Sequence, residues 1–315
     1  MYHPSGLPVY TEIPEPIPQD ANEILVTVKA VAMKHVDKSR AKGSHYSSDS
    51  SAEGRVIGGD GVCILPDGAR VYAIGSSGML AEKATVDKDR VVAIPDAIDD
   101  ITAAALPNAV IGSAMGLKCK ADIQPGDVVL VNGATGFTGR MAVQIAKYYG
   151  AGRVIATGRN AGSLKELLAL GADEVLSVES IDFAASVAAI HAATPIDIVI
   201  DYLWGQTAEQ ILGCLKGKGS FTNRIRYVSI GSMGGDLISL SAANLRSVDL
   251  QLSGSGLGAW SKAQVRQLFV AILPEMFRLA AEGRLSIKAT GVRLEDIASI
   301  WDLHLANGTR LVVTI

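Results

Sequence analysis

"VVLVNGATGFTGRMAVQIAKYYGAGRVIATGRN", residues 128 to 160, starts apolar, breaks into glycines, turns helical and reaches an arginine just past a second apolar run. Val128 to Val131 is an unbroken apolar run, as a strand buried on both faces requires. It breaks into "GATGFTG", where Ala134, Gly136 and Gly139 keep the spacing of GxGxxG with alanine at the first glycine. Ala142, Ile145, Ala146 and Tyr149 then recur at i, i+3, i+4 and i+7, one apolar helix face, before a second apolar run begins at Arg153. Strand, glycine turn, helix and strand therefore follow in order.

Such a turn has a physical use beyond reversing the chain. Small residues let the backbone approach a pyrophosphate and pack the helix on the strand, while the helix N-terminal N–H groups face the phosphates. Ala134, Thr135, Gly136, Phe137, Thr138 and Gly139 are thus the candidate cradle of a dinucleotide, against the alternative of a merely structural turn. An acidic residue for the adenosine ribose 2′-hydroxyl is expected about 20 residues on; in its place stand Gly158, Arg159 and Asn160. A carboxylate there would repel a 2′-phosphate, whereas an arginine clamps one with forked, charge-assisted bonds. The expected cofactor is NADPH, with Arg159 as its selector and Lys165 a solvated helix lysine.

Beyond residue 160, further strands are expected at 174–178, 196–202, 226–230 and 248–252, with helices between the first few, the pattern of a doubly wound parallel sheet. Upstream the character differs. Five of the eleven prolines lie in the first 18 residues, marking an irregular lead-in. "EILVTVKAVAM" (23–33) and "GRVIGGDGVCILPDGARVYAIG" (54–75) read as short strands split by Gly, Pro and Asp. Alanine-rich helical stretches take over at 98–127. After 283 the pattern is strand, short helix, strand, which returns to the first β region. The reading is therefore α/β: a Rossmann domain at 108–282 inside a discontinuous β domain at 1–107 and 283–315.

The 315 residues suffice for two domains. A net charge of −3 with scattered Lys and Arg lacks the footprint of a nucleic-acid binder. No apolar run reaches the roughly 18 residues of a membrane span, and the N-terminus lacks a signal-peptide layout, so a cytoplasmic protein acting on small molecules is expected. Cys63, Cys119 and Cys214 are far apart and without a CxxC, which suits free thiols.

Taken with the glycine turn, "AAALPNAVIGSAMGL", "QPGDVVLVNGATGFTG", "LGADEVLSV", "IDIVIDYLWG" and "EGRLSIKATGVRLEDIASIWDLH" resemble the medium-chain dehydrogenase/reductase superfamily, nearest its zinc-independent quinone oxidoreductase branch. The resemblance spans residues 9 to 315. It implies a GroES-like β domain with a Rossmann domain, an active site in the cleft between them, and a homodimer. Aligned by motif, the positions that hold catalytic zinc in the alcohol dehydrogenases of this superfamily carry Lys34, Ala52 and Asn108, none a normal zinc ligand, so no metal is expected. Quinone reductases of the family carry an Asn and a Tyr where this chain has Lys34 and Ser39, with His45 and Tyr46 a few residues on.

The resemblance also places Tyr202, Gly231, Ser232, Ser253 and Gly254, all after strand ends, at the cofactor, the last four near its nicotinamide end; Trp204, after the same strand as Tyr202, is a candidate cleft wall or dimer contact. Hydride transfer without zinc needs hydrogen-bond donors for the charge that develops on the acceptor oxygen. Lys34, Tyr46 and Asn108 are the candidates. His191 and His304 fall in helical patterns and read as structural. The expected function is an NADPH-dependent, zinc-independent reductase of a quinone or related electrophilic carbonyl. An enoyl or alkenal reductase on the same fold, and an NADPH-binding sensor or structural protein without turnover, remain open.

Overall fold

A computed structural model describes residues 1, 7–43, 55–217, 222–303 and 305–315. The chain divides into two compact units, Met1–Asn108 with Phe269–Ile315, and Ala109–Leu268.

The first unit is built on β1 (Glu23–Ala32), α1 (His35–Ala41), β2 (Asp60–Ile64), β3 (Arg70–Gly75), β4 (Lys83–Ala93) and the start of α2 (Asp100–Met115). Its long first strand closes the sheet on itself: Glu23–Thr27 pair with β4 and Thr27–Ala30 with β2, both antiparallel. Inside lie Val26, Val28, Val31, Cys63, Val71, Ala73, Met79 and Val86. The alternation of Val26 and Val28 against polar neighbours is what turns one face of β1 inward.

The second unit takes the rest of α2, then β5 (Val128–Asn132), α3 (Phe137–Tyr148), β6 (Arg153–Gly158), α4 (Ala161–Ala169), β7 (Glu174–Ser177), α5 (Phe183–Ala193), β8 (Ile198–Asp201), α6 (Gly205–Cys214), β9 (Ile225–Ser229), α7 (Ala242–Ser247), β10 (Leu250–Gly254) and α8 (Lys262–Gln267). The strand order is β10-β9-β8-β5-β6-β7, and every pairing is parallel. Order reverses between β5 and β8, and at such a switch point an open α/β sheet binds its ligand beyond the strand carboxyl ends. The expected strands all form. The last ends two residues later than expected, so Ser253 and Gly254 belong to β10 itself; this edge strand buries little, and no apolar limit marks its end.

The chain then returns to the first unit with α9 (Leu273–Ala281), β11 (Ala289–Arg293), α10 (Ile297–Ile300) and β12 (Arg310–Thr314). β12 pairs antiparallel with β1 and parallel with β11. The return falls at Phe269, ahead of the expected 283, because the apolar face of α9 belongs to the β unit: Phe277 is fully buried, its ring 6.2 Å from that of Tyr72 on β3.

Candidate functional site

Three of the central strands carry a polar residue at or next to their carboxyl end, and these residues meet. Asn132 ends β5, Asp201 ends β8, and Thr157 is the penultimate residue of β6; each is completely buried. Asn132 Nδ2 donates to Asp201 Oδ1 at 2.7 Å, Thr157 Oγ1 donates to Asn132 Oδ1 at 2.8 Å, and the Tyr227 hydroxyl donates to Asp201 Oδ2 at 2.7 Å. Burial, with Asp201 beside it, pushes the Tyr227 hydroxyl pKa far up. Asp201 also accepts from the backbone N–H groups of Leu203 and Trp204. These hydrogen bonds satisfy one buried carboxylate and fix the loop after β8, where Trp204 sits at φ 57°, ψ −153°, a region almost reserved for glycine. The sequence did carry the signal: a polar residue closing an otherwise apolar strand.

The glycine turn is tied to the same network. Gly133 N donates to Thr157 Oγ1 at 3.2 Å and Ala134 N to Thr157 O at 2.7 Å, with Gly133 at φ +85°. The small residues serve two different ends. A Cβ on Gly139 would lie 2.5 Å from Gly133 O, and one on Gly158 would lie 2.4 Å from Thr135 Cγ2, so both are glycine for close packing. Gly136 differs: it is exposed, it is the N-cap of α3, and a Cβ there would meet nothing nearer than Gly133 O at 3.9 Å. Open space therefore fronts the N-terminus of a 12-residue helix with no acidic residue in its first turn. Phe137 is buried and Thr138 half-buried behind that mouth. This cradle fits a pyrophosphate.

At the end of β6, Arg159 is exposed and makes no ion pair or hydrogen bond among the described residues. Asn160 has another duty than ligand binding: its Oδ1 accepts from Ser163 N at 2.8 Å and caps α4. Tyr202 is likewise engaged, its buried hydroxyl donating to Gly112 O at 2.8 Å and its pKa pushed well above the ordinary value by burial and by Asp201. Gly231 follows β9, where a Cβ would lie 3.0 Å from Tyr202 O, and Ser232 beside it is exposed.

Within the first unit the expected hydrogen-bond donors Lys34 and Asn108 have different surroundings. Lys34 is 3% exposed, and its Nζ donates to Asp60 Oδ1 at 2.6 Å and Ala32 O at 3.1 Å and pairs with Asp37 Oδ2 at 3.1 Å. An ammonium has three protons, and all of them are engaged, so the structure removes Lys34 as a donor to substrate. Burial lowers its pKa, but Asp37 and Asp60 together outweigh burial and the net shift is upward, so the cation is secure. Tyr72 completes the cluster by donating its hydroxyl to Asp60 Oδ2 at 3.0 Å. Asn108, half-buried on α2, accepts at Oδ1 from Arg310 Nη2 at 3.3 Å. Tyr46, with His45 and Ala52, lies outside the described residues.

Comparisons with known proteins place the chain among nicotinamide-linked relatives by name and fold. Residues 138–273 match the family described as zinc-binding dehydrogenase. The Emericella nidulans protein named "Probable NADPH-dependent quinone reductase tdiC" is 28% identical over 98% of this chain and 97% of its own, and the quinone oxidoreductase of Sus scrofa is 26% identical over 85% and 82%. Among solved structures, the quinone oxidoreductase of Escherichia coli complexed with NADPH superposes with a TM-score of 0.78 at 23% identity, covering 96% of this chain and 94% of that one. The fold is a Rossmann domain with a GroES-like β domain, the architecture of a nicotinamide-dependent dehydrogenase. These findings support the medium-chain dehydrogenase/reductase superfamily, in its quinone oxidoreductase-like branch, as the family of this chain. Among the described residues no group of three or more His, Cys, Asp or Glu is placed to hold a metal ion, and no helix is long and apolar enough to cross a membrane.

Proposed function

We propose that this enzyme is an NADPH-dependent, zinc-independent oxidoreductase that transfers hydride to a quinone or a related electrophilic carbonyl. The observation that carries the reading is the open mouth at Gly136 in front of α3, with the exposed Arg159, unpaired among the described residues, at the end of the neighbouring strand. The N–H groups that begin α3 bind the pyrophosphate, aided by the positive end of the helix dipole. Ala134, Thr135, Gly139 and Gly158 shape the turn, Arg159 clamps the 2′-phosphate, and Asn160 holds α4 in place beside it. Gly231, Ser232, Ser253 and Gly254 serve the nicotinamide end, with the Asp201 network fixing the adjacent loop.

When bound, the cofactor supplies the hydride. The chain's own part is to hold the acceptor and to offset the negative charge growing on its oxygen. Asn108 is the donor for that oxygen, and Tyr46 is a second candidate. A metal does not suit the matching positions: Lys34 is an ammonium already paired with carboxylates, and Asn108 turns its only acceptor toward the cationic Arg310. The active assembly in this reading is a homodimer, which sedimentation of the purified chain tests.

The decisive experiment titrates the protein with NADPH and NADH and then follows loss of the reduced-nicotinamide absorbance after adding 1,4-benzoquinone or an enone. NADPH-selective binding with turnover on the quinone is expected. Turnover on the enone alone makes the enzyme an alkenal reductase, and selective binding without turnover makes it a sensor.

A further inference from the structure

Arg140 stands in the first turn of α3, where the positive end of the helix dipole disfavours a cation. It is nonetheless only 4% exposed. Its Nη1 pairs with Glu166 Oε2 of α4 at 2.8 Å, its Nε donates to the carbonyl of Thr135 at 3.3 Å, and its Nη2 is buried without a hydrogen-bond partner among the described residues. A guanidinium kept in such a place costs stability. A role at the turn would account for it.

The contact with Thr135 has a geometric consequence. No described peptide bond is cis, and in a trans peptide the C=O and the following N–H point in opposite directions. Holding the Thr135 carbonyl on the buried side therefore turns the Gly136 N–H to the exposed side, where the cradle is open. Glu166 steadies the guanidinium from the neighbouring helix, so the fork cannot swing away from the carbonyl.

We propose that Arg140 is a positioning residue of the dinucleotide site, locking the Thr135–Gly136 peptide with its N–H aimed at the bound pyrophosphate. The inference rests on the dinucleotide reading above. It gives two cations separate roles: Arg140 governs affinity for the pyrophosphate and is indifferent to the 2′-phosphate, whereas Arg159 does the reverse.

Two probes test this on the full chain by calorimetric titration: ADP-ribose, which has the pyrophosphate and no 2′-phosphate, and 2′-AMP, which has the 2′-phosphate and no pyrophosphate. Arg140→Met is expected to weaken ADP-ribose about tenfold and to leave 2′-AMP within about twofold, with Arg140→Lys in between. Arg159→Glu is expected to weaken 2′-AMP and spare ADP-ribose. Equal weakening of both probes by Arg140→Met reduces Arg140 to a general structural role and overturns the proposal, as does unchanged ADP-ribose affinity. Should Arg140→Met fail to fold, Arg140→Lys decides by the same criterion. If the wild-type chain binds neither probe nor NADPH, the dinucleotide reading itself fails and this inference goes with it.

Discussion

Arg310 holds Asn108 by its oxygen: the guanidinium Nη2 donates to Asn108 Oδ1 at 3.3 Å while Nη1 reaches the carbonyl of Met33 at 3.4 Å. An arginine has no acceptor, so only the oxygen of the amide can face it. The NH2 of Asn108 is thereby turned away, and among the described residues it has no partner. Burial lowers the pKa of Arg310 to about 10, with Asp37 and Asp60 opposing the shift, so the guanidinium stays charged at neutral pH and polarises the amide in front of it.

Asn108→Asp tests whether that NH2 serves the reaction. The substitution keeps the shape, gains a charge-assisted contact with Arg310, and replaces the donor with an acceptor. We expect kcat to fall about 100-fold, the order seen when one donor to a developing oxyanion is lost, with NADPH affinity within twofold and the melting temperature unchanged or raised. An unaltered kcat in the well-folded variant would remove Asn108 from the mechanism.

Arg159→Glu puts a carboxylate where the 2′-phosphate is proposed to sit. NADPH binding should weaken by at least tenfold, about 1.4 kcal/mol, while NADH binding is spared. Arg159 is exposed and makes no bond among the described residues, so its loss should leave stability untouched. Fluorescence titration with both cofactors reads the ratio, and equal effects on the two would sink the clamp.

These sites differ in how far the sequence announces them. The central strands β5 and β8 of the second unit are legible because each is a nearly pure apolar run, and the turn at Gly136 because small residues at fixed spacing have few other uses. β4 is not: its centre, Lys88 to Arg90, is exposed and charged, and only pairing with β1 and β3 reveals the strand. Asn160 reads as a ligand residue because a cap and a ligand draw on the same side chains. Lys34 reads as an available donor because its partners depend on tertiary structure: Asp60 comes from another strand, 26 residues on. Arg310 and Asn108 are farther apart still, at a sequence distance of 202, so nothing local links them.

Lys34→Met should act on stability rather than on chemistry. It strips the Asp37 and Asp60 carboxylates of the ammonium between them, and uncompensated buried charge of this kind costs about 3–5 kcal/mol. Burial, the largest influence on Asp37, already raises its pKa against the pull of Lys34. Urea unfolding at pH 7 measures the loss. A folded variant that keeps wild-type stability but loses turnover would restore Lys34 to the reaction.

Cys63 gives the alkaline limb of the stability profile a specific cause. Burial in the core of the first unit raises its thiol pKa to about 12, above the ordinary 9.0. A folded-state pKa above the unfolded one gives stability that is complete below pH 9 and is lost as pH rises toward 12, because only the unfolded chain releases the proton in that window. By pH 10 the loss from this one group is about 1.4 kcal/mol. Cys63→Ala carries a cavity cost that does not depend on pH, and it should flatten the slope between about pH 8.5 and 10, a range set about the ordinary thiol value. Urea midpoints of the two proteins across that range make the comparison, and parallel slopes would show that Cys63 does not supply the alkaline loss.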